Sequence, residues 1–67
     1  MSLAKEINDA LKACDKVPMA KRCNLWAQAW DAARSAAAAS RAYQHTEARQ
    51  HIRIATTALK AYKEKHK

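Results

Sequence analysis

The chain contains no glycine and only one proline, Pro18. Tight β-hairpin turns need residues with positive φ, a conformation that glycine adopts at least cost. A sequence without glycine is therefore poorly suited to strand-rich folds. Strong helix formers fill it instead: 17 of the 67 residues are alanine, and Lys, Arg, Gln, Glu, Leu and Met supply half of the rest. We predict an all-α protein.

Large apolar side chains are also scarce. Apart from alanine, only 16 residues are apolar, counting both cysteines, both methionines and both tyrosines. A chain of 67 residues forms at most one domain, here residues 1–67, and buries only a modest share of its surface. We therefore expect helices that pack closely through alanine, a homodimer, or both.

Targeting and membrane-spanning segments are not visible in the sequence. The first residues, 1–6, lack the apolar stretch of a secretion signal, and no apolar run approaches the length that spans a bilayer. We expect a cytoplasmic protein without a membrane partner. In the cytoplasm Cys14 and Cys23 should be reduced. A disulfide across a helical hairpin at Pro18 is the alternative.

The first two helices are predicted from apolar spacing on either side of Pro18. Leu3, Ile7, Leu11 and Cys14 recur at steps of four and three, which indicates a helix over about 2–16. Proline disfavours helix in the residue before it and suits the first turn of a new helix. We therefore predict that the second helix covers about 18–41. Its apolar residues form two neighbouring rows: Met19, Cys23, Trp26, Trp30, Ala33, Ala37 and Ser40, and Leu25, Ala29, Ala32, Ala36, Ala39 and Tyr43.

A third helix is predicted over about 46–64, after a polar stretch at 40–46. Its apolar row is Ala48, Ile52, Ala55, Leu59 and Tyr62. Nothing in the polar stretch forbids helix, so a single helix from Pro18 to about Glu64 is the alternative. Three helices would form a small antiparallel bundle, whereas a short and a long helix would form a helical hairpin that must dimerise.

The predicted core contains the larger apolar residues of these rows. Trp26 and Trp30 are the most conspicuous because i,i+4 spacing stacks them on one helix face. Large aromatics usually supply much of the buried area of a small bundle. An exposed anchor for a partner protein is the alternative reading. We assign eight residues to the core or to a dimer interface: Leu11, Met19, Cys23, Trp26, Trp30, Ile52, Leu59 and Tyr62.

Residues for catalysis or for binding a metal or cofactor are not recognisable. The sequence has no Cys-x-x-Cys, no His-Glu-x-x-His and no glycine-rich phosphate loop. The six acidic residues are scattered, and cysteines on core rows are usually unreactive. A bundle this small also leaves little room for a substrate pocket. We therefore expect no enzyme activity, no metal and no cofactor.

The formal charge of +7 permits nucleic acid, an acidic protein or an anionic membrane as a partner. The basic residues that we select as candidates for binding are Arg34, Arg41, Arg49, Arg53 and Lys60. The leading hypothesis is a non-enzymatic interaction protein, a regulator, inhibitor or adaptor that binds a partner protein through a helix surface. Small bacterial or phage regulators are often of this type. The alternative is a helical protein that binds nucleic acid through basic rows on helices 2 and 3.

Overall fold

Three α-helices build the protein in a computed structural model that describes residues 2–66. Helix α1 covers Leu3–Asp15, α2 covers Asn24–Arg41 and α3 covers His45–Lys65, with a short 3₁₀ turn at Met19–Lys21 between α1 and α2. Ser2 caps α1, because its hydroxyl accepts a hydrogen bond from the Lys5 amide. The prediction of an all-α bundle is confirmed.

Side-chain contacts at one end of the bundle define the helix directions. The Trp26 indole N–H donates to the Cys14 carbonyl at 2.8 Å, so the start of α2 lies beside the end of α1. The Tyr62 hydroxyl donates to the Lys21 carbonyl at 3.0 Å, so the end of α3 lies at the same end. Helix α2 is therefore antiparallel to both neighbours, and α1 and α3 run in parallel. The interface between α2 and α3 is the most extensive and that between α1 and α3 the smallest.

Alanine dominates the core. Small side chains let helix backbones approach closely, which suits a chain with few large apolar residues. The larger buried side chains are few, and Cys14 is fully enclosed. Buried residues in the described chain are Ile7, Ala10, Cys14, Ala29, Ala32, Ala33, Ala36, Ala39, Ala48, Ile52, Ala55, Ala58, Leu59 and Tyr62. Ile52, Leu59 and Tyr62 are thus core residues, as predicted.

The predicted start of helix 2 at Pro18 is wrong. Pro18 itself is extended, and the 3₁₀ turn after it ends when Arg22 and Cys23 also adopt extended backbone angles. Helix α2 therefore begins only at Asn24. Met19 consequently lies on the connection and not in helix 2. It is 81% exposed and is therefore not part of the core, whereas its place in a dimer interface stays a prediction.

The other assigned core residues are less enclosed than Ile52 and Leu59. Leu11, Trp26 and Trp30 pack against the buried cluster but remain partly exposed. Cys23 is also partly exposed, because it precedes α2 and so lies outside the helical row that was predicted for it.

The chain reverses direction between α2 and α3 in three residues, and the alternative of one long helix is wrong. Tyr43 has φ of 60°, in the left-handed region. The Gln44 amide donates to the Ala39 carbonyl at 2.9 Å and the Tyr43 amide to the Ser40 carbonyl at 3.1 Å. This pair of bonds is the Schellman motif, in which a left-handed residue, usually glycine, ends a helix. Here a tyrosine takes that position.

Among residues 2–66, the helices are all too short or too polar to cross a membrane.

Candidate functional site

A groove of about 830 Å³ runs between the parallel helices α1 and α3. We call it the α1–α3 groove. Its apolar lining residues are Leu3, Ala10, Ala13, Ile52 and Leu59. The α1 residues Ala10 and Ala13 have short side chains, so they leave space between α1 and α3. This agrees with the small interface between these two helices. The sequence predicted little room for a pocket, and the structure instead contains an open groove.

The two walls of the α1–α3 groove carry opposite charge. On α3 the lining includes four basic side chains: Arg49, Arg53, Lys60 and Lys63. On α1 it includes two acidic side chains, Glu6 and Asp9. An apolar floor between a basic and an acidic wall gives the groove a direction across its width, so that a charged ligand would bind in one orientation.

The structure separates the five predicted binding residues into two groups. Arg49, Arg53 and Lys60 line the α1–α3 groove, whereas Arg34 and Arg41 are exposed on α2 and are not among its lining residues. Sequence reasoning missed Lys63, although its three-residue step from Lys60 continues the same helix face. It also missed Glu6 and Asp9, because spacing within α1 does not reveal which helix it faces.

A second feature is a row of stacked side chains along one side of α2, which we call the cation–π ladder. The rings of Trp26 and Trp30 are nearly parallel, with centroids 5.7 Å apart and planes 10° apart. The Arg22 guanidinium carbon lies 4.4 Å from the Trp26 ring centroid and that of Arg34 lies 5.9 Å from the Trp30 ring centroid. These distances fall within the range of cation–π attraction.

The two cysteines are free thiols in different environments. Burial raises the pKa of Cys14, and the nearby Arg22 charge offsets only part of that effect. Cys23 occupies the N-cap position of α2, where the backbone amides of the first helical turn, that of Trp26 most strongly, lower its pKa. The Cys23 sulfur also lies 3.9 Å from Nε2 of His66, whose ring stacks on Tyr62.

Within residues 2–66, no three His, Cys, Asp or Glu side chains cluster closely enough to hold a metal ion. Comparisons with protein-family models, with curated proteins and with solved structures find no match to this chain. The functional argument therefore depends on the surfaces just described.

Proposed function

We propose that this chain is a non-enzymatic interaction protein of the cytoplasm, and that its α1–α3 groove binds an amphipathic helix of a partner protein. The observation that carries the proposal is the apolar floor of the groove between a basic wall on α3 and an acidic wall on α1. Helices that bind in grooves bury an apolar stripe and leave their flanks to contact the rims.

The dimensions of the groove suit a helix of about four turns. Its lining on α3 extends from Arg49 to Lys63, a distance of about 21 Å at 1.5 Å per residue. A helix of roughly 14 residues or more would cover that length. Its addition beside α1 and α3 would complete a four-helix arrangement, in which side chains of facing helices fill a shared core.

Charge selects the partner. Four basic side chains on the α3 wall favour a helix with acidic residues along the flank that faces α3. The α2 helix of a second copy fits the groove less well, because it carries a single acidic residue, Asp31, and so offers no acidic flank to the α3 wall. We therefore assign the groove to an acidic helix of a different protein. A homodimer, if formed, would use another face.

A designed peptide tests this assignment directly. The probe is a labelled 18-residue helix with a leucine stripe and glutamates along one flank, and its control has lysines in place of the glutamates. We expect fluorescence anisotropy to show binding of the glutamate peptide and at least tenfold weaker binding of the lysine peptide. Equal binding of the two peptides would contradict the proposal.

Matched variants of the protein locate the binding surface. Arg53→Glu with Lys60→Glu reverses two charges on the groove, and Arg34→Glu with Arg41→Glu reverses two charges outside it. We expect the groove variant to weaken peptide binding at least tenfold more than the control variant does. Similar losses in both variants would show that net charge, rather than the groove, governs the interaction.

A further inference from the structure

We propose that three arginines, Arg22 in the extended segment before α2 and Arg34 and Arg41 on α2, bind the phosphate backbone of double-stranded DNA. We call these residues the arginine row. This surface is separate from the α1–α3 groove, whose lining contains none of the three. The inference therefore goes beyond the proposed function, and each can fail without the other.

The cation–π ladder holds two of the three guanidinium groups in place. Trp26 and Trp30 stack on each other, and each ring also has an arginine guanidinium over it. Trp26, Trp30 and Arg34 follow at four-residue steps on α2, whereas Arg22 reaches Trp26 from the extended segment before the helix. Arg22 is fixed a second time, since its Nε donates to the Val17 carbonyl at 3.2 Å. An arginine that is already ordered loses less conformational entropy when it binds a ligand.

The planar guanidinium group is suited to phosphate. It offers two parallel N–H donors to two phosphate oxygens, a geometry that lysine cannot reproduce. The Nε bond of Arg22 to Val17 leaves its terminal nitrogens for a ligand. Arg34 and Arg41 are exposed. The ladder thus presents oriented anion-binding groups rather than freely moving charges.

The length of the arginine row agrees with a polymeric anion. Arg34 and Arg41 are seven residues apart on α2, which places them about 10 Å apart along the axis and within about 20° around it. Trp26, on which Arg22 stacks, lies eight residues before Arg34, about 12 Å along the axis and about 80° around it. Double-stranded DNA carries about one phosphate per 1.7 Å of its axis, so a row of this length can contact several phosphates. Helix α2 contains a single acidic residue, Asp31, which lies about 60° around the axis from Arg34. The charge of the arginine row is therefore opposed by only one carboxylate on this helix.

The covered tryptophan faces favour a duplex over a single strand. Proteins that bind single strands stack unpaired bases on free aromatic faces. In the cation–π ladder each ring already stacks on the other ring and already has an arginine over it. The surface therefore offers arginine charges for phosphates but no free aromatic face for unpaired bases. Contacts to the backbone of a duplex need only the charges.

The side chains between the arginines argue against a protein ligand on this surface. In the range Asn24–Arg41, the exposed residues are small or polar: Asn24, Ala27, Gln28, Asp31, Arg34, Ser35, Ala38 and Arg41. Stable protein interfaces usually centre on large apolar or aromatic anchors that enter a pocket. The large apolar side chains of α2, Leu25, Trp26 and Trp30, are only partly exposed, so the exposed positions of the helix supply no such anchor.

The test measures binding of a labelled 20-base-pair duplex by anisotropy across a salt series that starts near 50 mM. Each phosphate contact contributes about −0.9 to the slope of log K against log salt. We expect the triple variant Arg22→Gln, Arg34→Gln, Arg41→Gln to make the slope shallower by two to three units. The matched variant Arg49→Gln, Arg53→Gln, Lys60→Gln removes the same charge from the groove and should change the slope by less than one unit.

Three outcomes would overturn the proposal. The first is an equal change in the slope of log K against log salt in the two variants. The second is tighter binding of single-stranded DNA or of poly-glutamate than of the duplex. The third is absence of duplex binding at the lowest salt concentration. Circular dichroism first confirms that each variant is helical.

If the Gln variant unfolds, Arg22→Lys with Arg34→Lys replaces it. This variant keeps the charge but loses the planar guanidinium groups, so we expect weaker DNA binding with an unchanged salt slope. Unchanged affinity would then contradict a role for the ladder.

Discussion

The indole nitrogen of Trp26 donates a hydrogen bond to the backbone carbonyl of Cys14 at 2.8 Å. This bond joins the first turn of α2 to the last turn of α1, across a connection that has only one 3₁₀ turn of regular structure. Trp30, one turn further along, stacks on Trp26, and no side-chain hydrogen bond of its own is found among residues 2–66. The two tryptophans therefore look equivalent in sequence but have different roles in the structure.

Substitution by phenylalanine should separate these roles. Trp26→Phe removes the hydrogen bond and should lower the free energy of unfolding by about 1 kcal/mol more than Trp30→Phe does. Both variants lose part of the ring stack, so Trp30→Phe is the matched control. Urea unfolding followed by circular dichroism measures the difference. An equal loss in both variants would mean that the bond to Cys14 contributes no net stability.

The alanine core should not tolerate larger side chains. Ala33 is fully enclosed, and Ala33→Leu adds three carbons where the helices are already in contact. Overpacking of this kind costs about 1–3 kcal/mol. Ala27→Leu makes the same change at an exposed position of the same helix and should be nearly neutral. If thermal unfolding shows Ala33→Leu to be as stable as the wild type, the helices are packed less closely than described.

Glycine, which the chain lacks, should stabilise the turn at position 43 when it replaces Tyr43. A left-handed conformation costs a residue with a Cβ atom about 1–2 kcal/mol, and glycine avoids that cost. Tyr43 is 83% exposed, so little packing is lost on its replacement. We expect Tyr43→Gly to stabilise the protein by up to about 1 kcal/mol. Ala42→Gly, one residue earlier and at negative φ, should instead destabilise it. Chemical unfolding of the two variants makes the comparison, and a less stable Tyr43→Gly would contradict the strain argument.

These positions explain which features the sequence could predict. The predicted row Leu25, Ala29, Ala32, Ala36, Ala39 and Tyr43 is buried at its four alanines, because burial within the helix follows from helical spacing. Leu25 is only partly buried, and Tyr43 is exposed because it lies beyond the end of α2. The end of α2 was not predictable in the same way. Tyr43 adopts the left-handed conformation because the bonds to Ala39 and Ser40 require it, and tyrosine carries no preference for that state.

The candidate surfaces were predictable only in part. Arg49, Arg53 and Lys60 share a face of α3, and sequence spacing grouped them correctly. Their common groove depends on α1 packing in parallel beside α3, a tertiary relationship that no spacing within one helix encodes. The same reason explains the error at Met19: periodicity continued through Pro18–Cys23, but the extended backbone there removed those residues from the helix.

The homodimer expected from the small number of large apolar residues stays a prediction. Ile54 is 54% exposed on α3 and is the largest apolar side chain on the outer surface of that helix. We expect sedimentation equilibrium at micromolar concentration to detect a dimer and Ile54→Gln to weaken it. A monomer of 7.5 kDa with a sharp thermal transition would show that close alanine packing alone stabilises the fold.

The last prediction concerns the reactivity of the two thiols. The thiolate is the reactive form, and the pKa of Cys23 is lowered chiefly by the Trp26 backbone amide in the first turn of α2. The rate of alkylation of Cys23 by iodoacetamide should therefore rise at lower pH than that of a cysteine in the unfolded chain. Cys14 should react slowly at every pH at which the protein is folded, because it is fully enclosed and burial raises its pKa.

Mass spectrometry of the alkylated peptides measures both rates in one sample, so Cys14 is the internal control. In urea the two thiols should react at similar rates with the same pH midpoint, because the folded environment is lost. Cys23→Ser should leave a folded protein with almost no rapid alkylation. A midpoint for Cys23 at or above that of the unfolded chain would contradict the effect of the helix N-terminus. Equal rates at both cysteines in the folded protein would mean that the end of α1 opens readily and exposes Cys14.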